Sequence, residues 1–275
     1  MSDSVKSITP ALQVEGLNYV FQGKQALHNI SLTAERGDLT FVIGPNGAGK
    51  STLFRCILNI LTDFSGQIRV GGKDIRSMSA RERAEQIAYI PQIHRPTFGY
   101  SVLDTVLMGM ARQIPVFSRP GESQIRQAEE ALDRIGVLHM RDRDFSKLSG
   151  GEQQLVLIAR AIAQKAKILI MDEPTSALDF GNQLRVLRQV QALSRAGYTV
   201  LLSTHNPQQA MNYAGKVLAM SQGEVKAYGP PDKVLTPQLI RELFGVEVQY
   251  IATESGAVIV PVGDGAVPAR GGKGQ

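Results

Sequence analysis

A glycine-rich stretch near the start of the chain has the residue types and spacing needed to hold phosphate groups. Residues 44–52 read GPNGAGKST and fit the pattern G-x-x-x-x-G-K-[ST]. Glycines in such a loop let successive backbone N–H groups curve around phosphate oxygens. The residues predicted to contact a nucleotide or its metal ion are Gly44, Asn46, Gly47, Gly49, Lys50, Ser51 and Thr52.

The lysine and the serine of this loop predict which group is bound. Lys50 supplies a positive charge for β- and γ-phosphates, and the hydroxyl of Ser51 can ligate Mg²⁺. The loop lies between Leu39–Ile43, an apolar run typical of a buried strand, and Lys50–Ile60, whose apolar residues have helical spacing. Because the start of a helix adds positive partial charge, this context favours a site for ATP and Mg²⁺ over a solvated turn.

An acidic pair follows a second apolar segment. Ile168–Met171 has the length of a buried strand, and Asp172 and Glu173 come directly after it. In parallel α/β sheets, ligands bind at the carboxyl ends of the strands. Asp172 is then placed to hold Mg²⁺, usually through water, and Glu173 to polarise an attacking water molecule. The alternative is a strand end followed by a capping acid, and the phosphate-binding loop favours the catalytic interpretation.

A second glycine-rich turn opens another predicted helix. Ser149, Gly150 and Gly151 combine a hydroxyl, two glycines and a helix N-terminus, which together make an anion site. One nucleotide does not need two such sites on one chain. We therefore expect this site to serve the ATP of a second copy of the chain. The alternative is an ordinary helix cap at Ser149.

The remaining elements indicate how these sites are held. Strand patterns at residues 12–21 and 30–34 are followed by strands that alternate with helices, one of them at residues 183–195, which predicts a parallel sheet covered by helices. Between residue 101 and about residue 164 the pattern is helical, with a capping box predicted at Ser101 and Asp104, and this block resembles an insertion into the α/β core. Residues 246–251 and 257–262 are predicted to form a terminal hairpin. The glycine-rich residues 263–275 are predicted to be a disordered tail.

Composition limits the class of protein. The 275 residues carry a formal net charge of +5 with scattered basic residues, so there is no basic patch typical of nucleic-acid binding. No apolar run approaches the ~20 residues of a membrane span, and no secretory signal precedes the first strand. The single cysteine, Cys56, cannot form an internal disulfide and is predicted to be a core residue in a reducing cytoplasm.

Three motifs in this order resemble the ATPase subunits of ABC transporters. They are the phosphate-binding loop, Leu148–Gln153 with the sequence LSGGEQ, and Asp172–Thr175 with the sequence DEPT. The resemblance covers about residues 10–250, and the LSGGE element is absent from other families with the same phosphate-binding loop. It implies an α/β fold: a P-loop NTPase (RecA-like) core with an antiparallel β subdomain and an inserted α-helical subdomain. The implied boundaries are residues 1–95 and 165–262 for the core and 96–164 for the insertion.

The resemblance also implies roles for four further residues. Gln92 corresponds to the glutamine that reaches Mg²⁺ and the lytic water, and Asp179 to the loop that crosses a dimer interface. His205 corresponds to the histidine that contacts the γ-phosphate, although alone it would be read as a polar residue at a strand end. Phe21 corresponds to the aromatic residue that stacks on adenine, with Tyr19 as the alternative.

Local sequence features resemble one branch of the family, the ATPases that power import of metal chelates such as iron–siderophore, haem or cobalamin. These features are Tyr100–Gly109 with Pro115–Phe117, Ser176–Gln183, and Tyr228–Thr236 with Leu243–Val246. The branch implies transmembrane permease subunits, a head-to-tail dimer, and indirectly an extracytoplasmic substrate-binding protein. The chain would lie peripherally at the cytoplasmic face of the inner membrane, and the permease would contact the groove beside Gln92–Tyr100.

Three other functions fit parts of the pattern. An importer ATPase for another cargo, or an exporter ATPase, would carry the same three motifs. A soluble ABC protein acting on nucleic acid would have two linked ATPase domains, long coiled coils or zinc modules, none of which the sequence shows. A non-hydrolysing nucleotide switch is disfavoured by Glu173, because such a protein would be expected to lose the catalytic base.

Overall fold

The structure, a computed structural model, describes residues 9–92, 99–113, 118–254 and 256–262. The predicted tail at residues 263–275, most of the groove after Gln92 (residues 93–98) and Pro115–Phe117 lie outside these residues. The strands of the described part are β1 Leu12–Phe21, β2 Lys24–Ala34, β3 Leu39–Ile43, β4 Ser65–Val70, β5 Lys73–Asp74, β6 Ile87–Ile90, β7 Ile168–Met171, β8 Thr199–Thr204, β9 Lys216–Ser221, β10 Glu224–Gly229, β11 Val248–Thr253 and β12 Gly256–Pro261.

Helices separate most of the strands after β3. None of them, within the residues described, is long and apolar enough to cross a membrane. The α-helices are α1 Lys50–Ile57, α2 Ala80–Gln86, α3 Val102–Met108, α4 Glu122–Ile135, α5 Gly150–Ala163, α6 Phe180–Arg195, α7 Pro207–Tyr213, α8 Pro231–Val234 and α9 Pro237–Phe244.

The largest sheet has six strands in the order β10-β9-β3-β8-β7-β6. Its strands are parallel except for the edge strand β10, which pairs antiparallel with β9. Strands β3, β7 and β8 are neighbours although long segments of chain separate them. Parallel alignment therefore brings the carboxyl ends of β3, β7 and β8 to one edge of the sheet, and the predicted chemistry follows these ends.

A smaller antiparallel sheet in the order β2-β1-β4-β5 forms the second layer. The predicted second strand, residues 30–34, proved too short, because β2 begins at Lys24 and forms a hairpin with β1. The two-residue connection Gln22–Gly23 has positive φ at both positions, 48° and 78°, as tight hairpins of this length require. This hairpin reaches the phosphate-binding loop.

The core has two parts because the large sheet is covered on both faces. Along β3, Phe41 and Ile43 pack into the part that contains α4, α5 and α6, whereas Val42 packs into the part that contains α1 and the small sheet. Successive side chains of a strand point to opposite faces. A strand buried on both faces reads as a continuous apolar run, which is why the sequence LTFVI predicted β3 correctly.

The helical block between β6 and β7 packs on one of these faces. Helices α3, α4 and α5 contact one another and contribute Val106, Leu132 and Ile158 to the same core as Phe41. Ser101 caps α3 through a capping box with Asp104, as the sequence predicted. Gly136, with φ of 79°, ends α4.

Two helix boundaries differ from the sequence prediction. Helix α1 ends at Ile57 rather than Ile60, because Asn59 adopts φ of 54° and breaks the helical path, and Ile60 is exposed instead of buried. Helix α6 begins three residues before the predicted Gln183, since the Asp179 carboxylate accepts the backbone N–H of Asn182 and caps it. Cys56 is buried as predicted, and burial raises the pKa of its thiol to about 12.

Candidate functional site

An open cavity of about 590 Å³ lies between the β1–β2 hairpin and the phosphate-binding loop. Most of the loop residues that the sequence predicted to contact a nucleotide line this cavity, together with Phe21 and Glu173. Gly44 does not line the cavity; a Cβ at that position would stand 2.1 Å from the carbonyl oxygen of Met220, so a side chain there would clash. The residues that line the cavity are Phe21, Lys24, Gln25, Ala26, Asn46, Gly47, Ala48, Gly49, Lys50, Ser51, Thr52, Glu173, Gln222 and Gly223.

The loop presents the start of α1 to this cavity. Gly49 precedes the helix with φ of 99°, a conformation that favours glycine, and no side chain caps the helix there. The first backbone N–H groups of a helix have no partner within the helix. Those of α1 are therefore available to phosphate oxygens, and the exposed hydroxyl of Ser51 lies on its first turn.

Lys50 is almost completely buried, with 6% of its surface exposed. Its ammonium donates hydrogen bonds to the carbonyl oxygens of Gly44 at 2.7 Å and Pro45 at 3.1 Å. Its Nζ also lies 3.7 Å from Oε1 of Glu173. Burial lowers the pKa of Lys50, and the nearby carboxylates of Glu173 and Asp172 oppose this shift without cancelling it. The ammonium is thus held by neutral carbonyls and one carboxylate.

Glu173 occupies the junction between the phosphate-binding loop and the end of β8. Its backbone has φ of 44°, in the left-handed region that non-glycine residues seldom adopt. Its Oε2 lies 3.2 Å from Nδ1 of His205, which follows β8, while its Oε1 faces Lys50. The structure therefore places two predicted catalytic residues, Glu173 and His205, beside the predicted phosphate-binding lysine.

Asp172 and Gln92 follow the ends of β7 and β6 and hydrogen-bond to neighbouring segments of the chain. Oδ1 of Asp172 accepts a hydrogen bond of 2.6 Å from the hydroxyl of Ser203, a residue that the sequence analysis did not single out. Nε2 of Gln92 donates to the hydroxyl of Ser176 at 2.9 Å. Because the amide nitrogen of Gln92 is engaged in this way, its carbonyl oxygen is the atom left to face a cation or water.

The oxygen ligands predicted for Mg²⁺ suit that ion. The hydroxyl of Ser51, the carboxylate of Asp172 and the amide oxygen of Gln92 are hard donors, and Mg²⁺ is held by few protein oxygens, substrate phosphates and water. In the part of the chain that is described, no group of three or more His, Cys, Asp or Glu side chains could hold a metal by itself. A Mg²⁺ ion held by these residues would need further oxygen ligands, such as nucleotide phosphates and water.

The other end of the cavity carries the aromatic candidate for the adenine. Phe21 lines the cavity and is 56% exposed, whereas Tyr19 packs against the core. The turn Gln222–Gly223 between β9 and β10 also lines the cavity. This turn and the phosphate-binding loop are more than 170 positions apart in the sequence. The glycine in the turn was therefore the only sequence signal that could have indicated its place in the site.

The anion site predicted at Ser149–Gly151 does not line the cavity, and neither does Asp179. Ser149 caps α5 in a capping box with Glu152, whose side chain accepts the Ser149 backbone N–H at 2.8 Å. Hydrogen bonds from Ser149 lower the pKa of Glu152. The Asp179 carboxylate caps α6 and is exposed. Within one chain, both motifs thus have ordinary capping partners and remain outside the phosphate pocket.

A strand, a phosphate-binding loop and a helix, with two carboxylates at the end of another parallel strand of the same sheet, define the P-loop NTPases. Residues 27–176 match the family described as ABC transporter. A molybdate import ATP-binding protein of Haemophilus influenzae is 37% identical over 85% of this chain and 88% of that protein. A hemin import ATP-binding protein of Rhodopseudomonas palustris is 34% identical over 92% and 97%.

A solved structure indicates the same family as the sequence matches. A protein described as a metal-chelate type ABC transporter, in an inward-facing conformation, superposes with a TM-score of 0.81. It is 34% identical and the match covers 93% of this chain and 98% of that one. This chain therefore belongs to the ABC transporter family, as an ATP-binding ATPase with the α/β P-loop fold predicted from its sequence.

The lowered pKa of Lys50 predicts that ATP binding takes up protons at alkaline pH. Phosphate oxygens stabilise the charged ammonium, so its pKa should be higher in the complex than in the free protein. Between the two pKa values, binding then adds a proton to Lys50, and the uptake grows as pH rises towards the lowered value. Calorimetry in buffers of different ionisation enthalpy, well above the phosphate pKa of about 6, measures this uptake.

A variant with a permanently charged side chain is the control for this measurement. Lys50→Arg keeps the charge at every accessible pH, because the guanidinium does not deprotonate in proteins. ATP binding to this variant should therefore take up no protons at position 50 at alkaline pH. Wild-type protein whose proton uptake stays at zero throughout the alkaline range would contradict the prediction.

Proposed function

We propose that this chain is the ATP-hydrolysing motor of an importer and works as a head-to-tail dimer with two ATP at its interface. Each ATP contacts the phosphate-binding loop of one copy and Ser149–Gly151 of the other. The residues that we assign to the ATP site are Phe21, Gly44, Asn46, Gly47, Gly49, Lys50, Ser51, Thr52, Ser149, Gly150, Gly151 and Asp179. Dimer closure drives separate permease subunits, and the chain lies at the cytoplasmic face of the membrane.

One observation supports the dimer proposal: the two predicted anion sites of the chain lie apart from each other. The cavity beside Lys50 is open on one side, and Ser149–Gly151 begins α5 elsewhere on the surface. At Gly151 a Cβ would stand 2.4 Å from the side chain of Asn182, so this helix start packs closely against the start of α6. Ser149 and Asp179, the caps of α5 and α6, thus belong to one rigid exposed edge that can meet a second copy.

Residues of the cavity and of the nearby strand ends share the steps of hydrolysis. Lys50 and the N–H groups of α1 hold the β- and γ-phosphates, and Phe21 stacks on the adenine. Glu173 orients a water molecule and accepts its proton, while His205 contacts the γ-phosphate beside it. Mg²⁺, held by Ser51, Asp172 and Gln92, would neutralise phosphate charge. Gln92 begins the segment that leads into the helical block, so it can report the nucleotide to the permease.

We propose the same domain boundaries for the chain that the sequence resemblance implies. Residues 1–95 and 165–262 form the ATP-binding core, and residues 96–164 form the inserted helical subdomain that contacts the permease. Exposed apolar side chains at Tyr100 and Met108, 46% and 44% exposed, support a contact surface there. Mg²⁺, the permease and an extracytoplasmic binding protein are the partners we expect, and nucleic acid is not.

The cargo is proposed to be a metal chelate. Local sequence features favour that branch, and the structural neighbour described as a metal-chelate type transporter supports it. Isolation of the chain with its membrane partners, followed by reconstitution with the binding protein in vesicles, tests this directly. Uptake of haem, cobalamin or an iron chelate supports the proposal. Uptake of molybdate, or ATP-driven export, would replace it with another transporter ATPase.

Crosslinking tests the arrangement of the dimer. Chains that carry Asn46→Cys are mixed with chains that carry Ser149→Cys, with Mg-ATP and a short bifunctional thiol reagent. Both positions are exposed, and Cys56 will not compete because it is buried and its thiol pKa is about 12. We expect a crosslinked dimer only with ATP. A bond within one chain of the double variant would contradict the head-to-tail model.

A second capped helix provides a matched control. Ser79 caps α2 in the same kind of capping box, with Glu82, and is exposed like Ser149. Replacing either serine with alanine should cost about 1 kcal/mol of stability through the lost cap. Only Ser149→Ala should also lower ATP-dependent dimerisation and hydrolysis. Equal effects on activity from both variants would mean that Ser149 is an ordinary helix cap.

A further inference from the structure

Ser203 lies at the end of β8, beside the end of β7, and its side chain is completely buried. Its hydroxyl donates a hydrogen bond of 2.6 Å to Oδ1 of Asp172. The hydroxyl oxygen of Ser203 also accepts the backbone N–H of Glu173 at 2.8 Å. One hydroxyl therefore links the side chain of the predicted Mg²⁺ ligand to the backbone of the predicted catalytic base.

Both hydrogen bonds of Ser203 satisfy polar groups that the strand pairing leaves without a partner. The N–H of Asp172 continues the strand pairing by donating to the carbonyl oxygen of Ile90 at 3.0 Å. At the next residue the chain turns away from β6, and the N–H of Glu173 donates to Ser203. A buried N–H without a partner is costly. The hydroxyl of Ser203 therefore stabilises the backbone where β7 has ended and the turn at Glu173 begins.

The backbone of Glu173 needs such a restraint. Its φ of 44° is strained for a residue with a Cβ and persists only where the surroundings hold it. That conformation sends the carboxylate between Lys50 and His205, at 3.7 Å and 3.2 Å. The N–H held by Ser203 belongs to the same residue, so release of this bond would let Glu173 relax and withdraw its carboxylate.

We propose that Ser203 is a positioning residue that aligns Asp172 and Glu173 with each other. Its buried side chain does not line the cavity and acts through the two acidic residues, so the inference rests on the roles proposed for them above. A serine hydroxyl has one donor and two acceptor positions, and here the donor and one acceptor are used by the acidic pair. The sequence gives no motif for this role, because Ser203 and the pair are thirty positions apart.

Removing the hydroxyl should affect catalysis and metal use more than nucleotide binding. In Ser203→Ala, Asp172 loses a donor and Glu173 loses the acceptor of its N–H. Loss of an outer partner of a metal site typically lowers metal affinity or activity by about 10–100-fold. We therefore expect kcat to fall by about that factor, and the Mg²⁺ concentration that half-saturates ATP binding to rise. ATP affinity in EDTA should change little, because Lys50 and the loop are intact.

A buried hydroxyl at the other end of the same strand is the matched control. Thr199 is 1% exposed, and its Oγ1 accepts the N–H of Gly37 and donates to the carbonyl oxygen of Glu35, both at 3.2 Å. Thr199→Val removes these two bonds far from the acidic pair. It should lower Tm as Ser203→Ala does, yet leave kcat and the Mg²⁺ dependence unchanged.

The experiment compares full-length Ser203→Ala, Thr199→Val and wild type by thermal unfolding, ATPase rate, and calorimetric ATP binding at a series of Mg²⁺ concentrations. A fall in kcat with a raised Mg²⁺ requirement in Ser203→Ala alone supports the proposal. Loss of stability in both variants with unchanged kcat and Mg²⁺ dependence overturns it. If Ser203→Ala does not fold, Ser203→Cys keeps the shape with a weaker donor and must show the same changes, to a smaller degree.

One further variant separates this inference from the proposed function. If Glu173→Gln retains normal hydrolysis, the assignment of the base is wrong and Ser203 has no acidic pair to align. If Glu173→Gln is inactive and Ser203→Ala resembles Thr199→Val, the proposed function stands and only the positioning role is lost.

Discussion

Glu173→Gln should lower ATP hydrolysis by about two to four orders of magnitude while ATP binding survives. The carboxylate lies within reach of His205 and Lys50 at the end of β7, where a water molecule can approach the γ-phosphate. Glutamine keeps the shape and some hydrogen-bonding capacity, but it cannot accept the proton. The phosphates remain held by Lys50, Ser51 and the N–H groups of α1, so nucleotide affinity should change little.

The closed dimer should then accumulate, since opening normally follows loss of the γ-phosphate. Size-exclusion chromatography with Mg-ATP, beside a phosphate-release assay, measures both effects on one sample. Asp172→Asn is the comparison, because it should weaken Mg²⁺ and nucleotide binding together. Near-normal turnover by Glu173→Gln would show that another residue, such as His205 or Gln92, activates the water.

Lys50→Ala should abolish tight ATP binding and with it all hydrolysis. One charge pair at ~4 Å is worth ~4 kcal/mol at an effective dielectric near 20, before desolvation is subtracted. Because Lys50 is already buried in the free protein, much of its desolvation cost has been met on folding. We therefore expect affinity to fall by about 10²–10³-fold, since each 1.4 kcal/mol corresponds to about tenfold.

Calorimetric titration with ATP measures this loss, and a lysine elsewhere in the sheet controls for general damage. Lys216, at the start of β9, is partly buried and pairs with Asp38 at 2.7 Å. Lys216→Ala should lower stability without a change in ATP affinity. Near-normal affinity of Lys50→Ala would mean that the phosphates bind elsewhere.

The fold was predictable because its strongest signals are local. The run LTFVI is buried on both faces of the sheet, and capping boxes at Ser101 and Ser149 mark real helix starts. The last residue of α1 and the first residue of α6 were less accurately predicted. The left-handed conformation of Asn59 ends α1, and the Asp179 cap starts α6. Neither effect changes the apolar periodicity on which the prediction depended.

The candidate site was predictable where one motif carries its chemistry and not where distant segments meet. Lys50 and Glu173 were named from the sequence, and they lie 3.7 Å apart between charged atoms. Ser203 was missed, although its hydroxyl contacts both positions of the acidic pair. A serine within a buried strand looks like an ordinary core residue, and only the parallel pairing of β7 with β8 reveals its partners.

The pairing of Lys50 with Glu173 has a consequence for the order of events in each cycle. The ammonium of Lys50 and the carboxylate of Glu173, the base proposed above, lie 3.7 Å apart and offset each other's charge. If these residues have the proposed roles, an arriving γ-phosphate, which carries more negative charge than a carboxylate, would draw the ammonium away and free Glu173 for water. ATP would then release the base needed for its own hydrolysis, and a subunit without nucleotide would keep that base paired with Lys50.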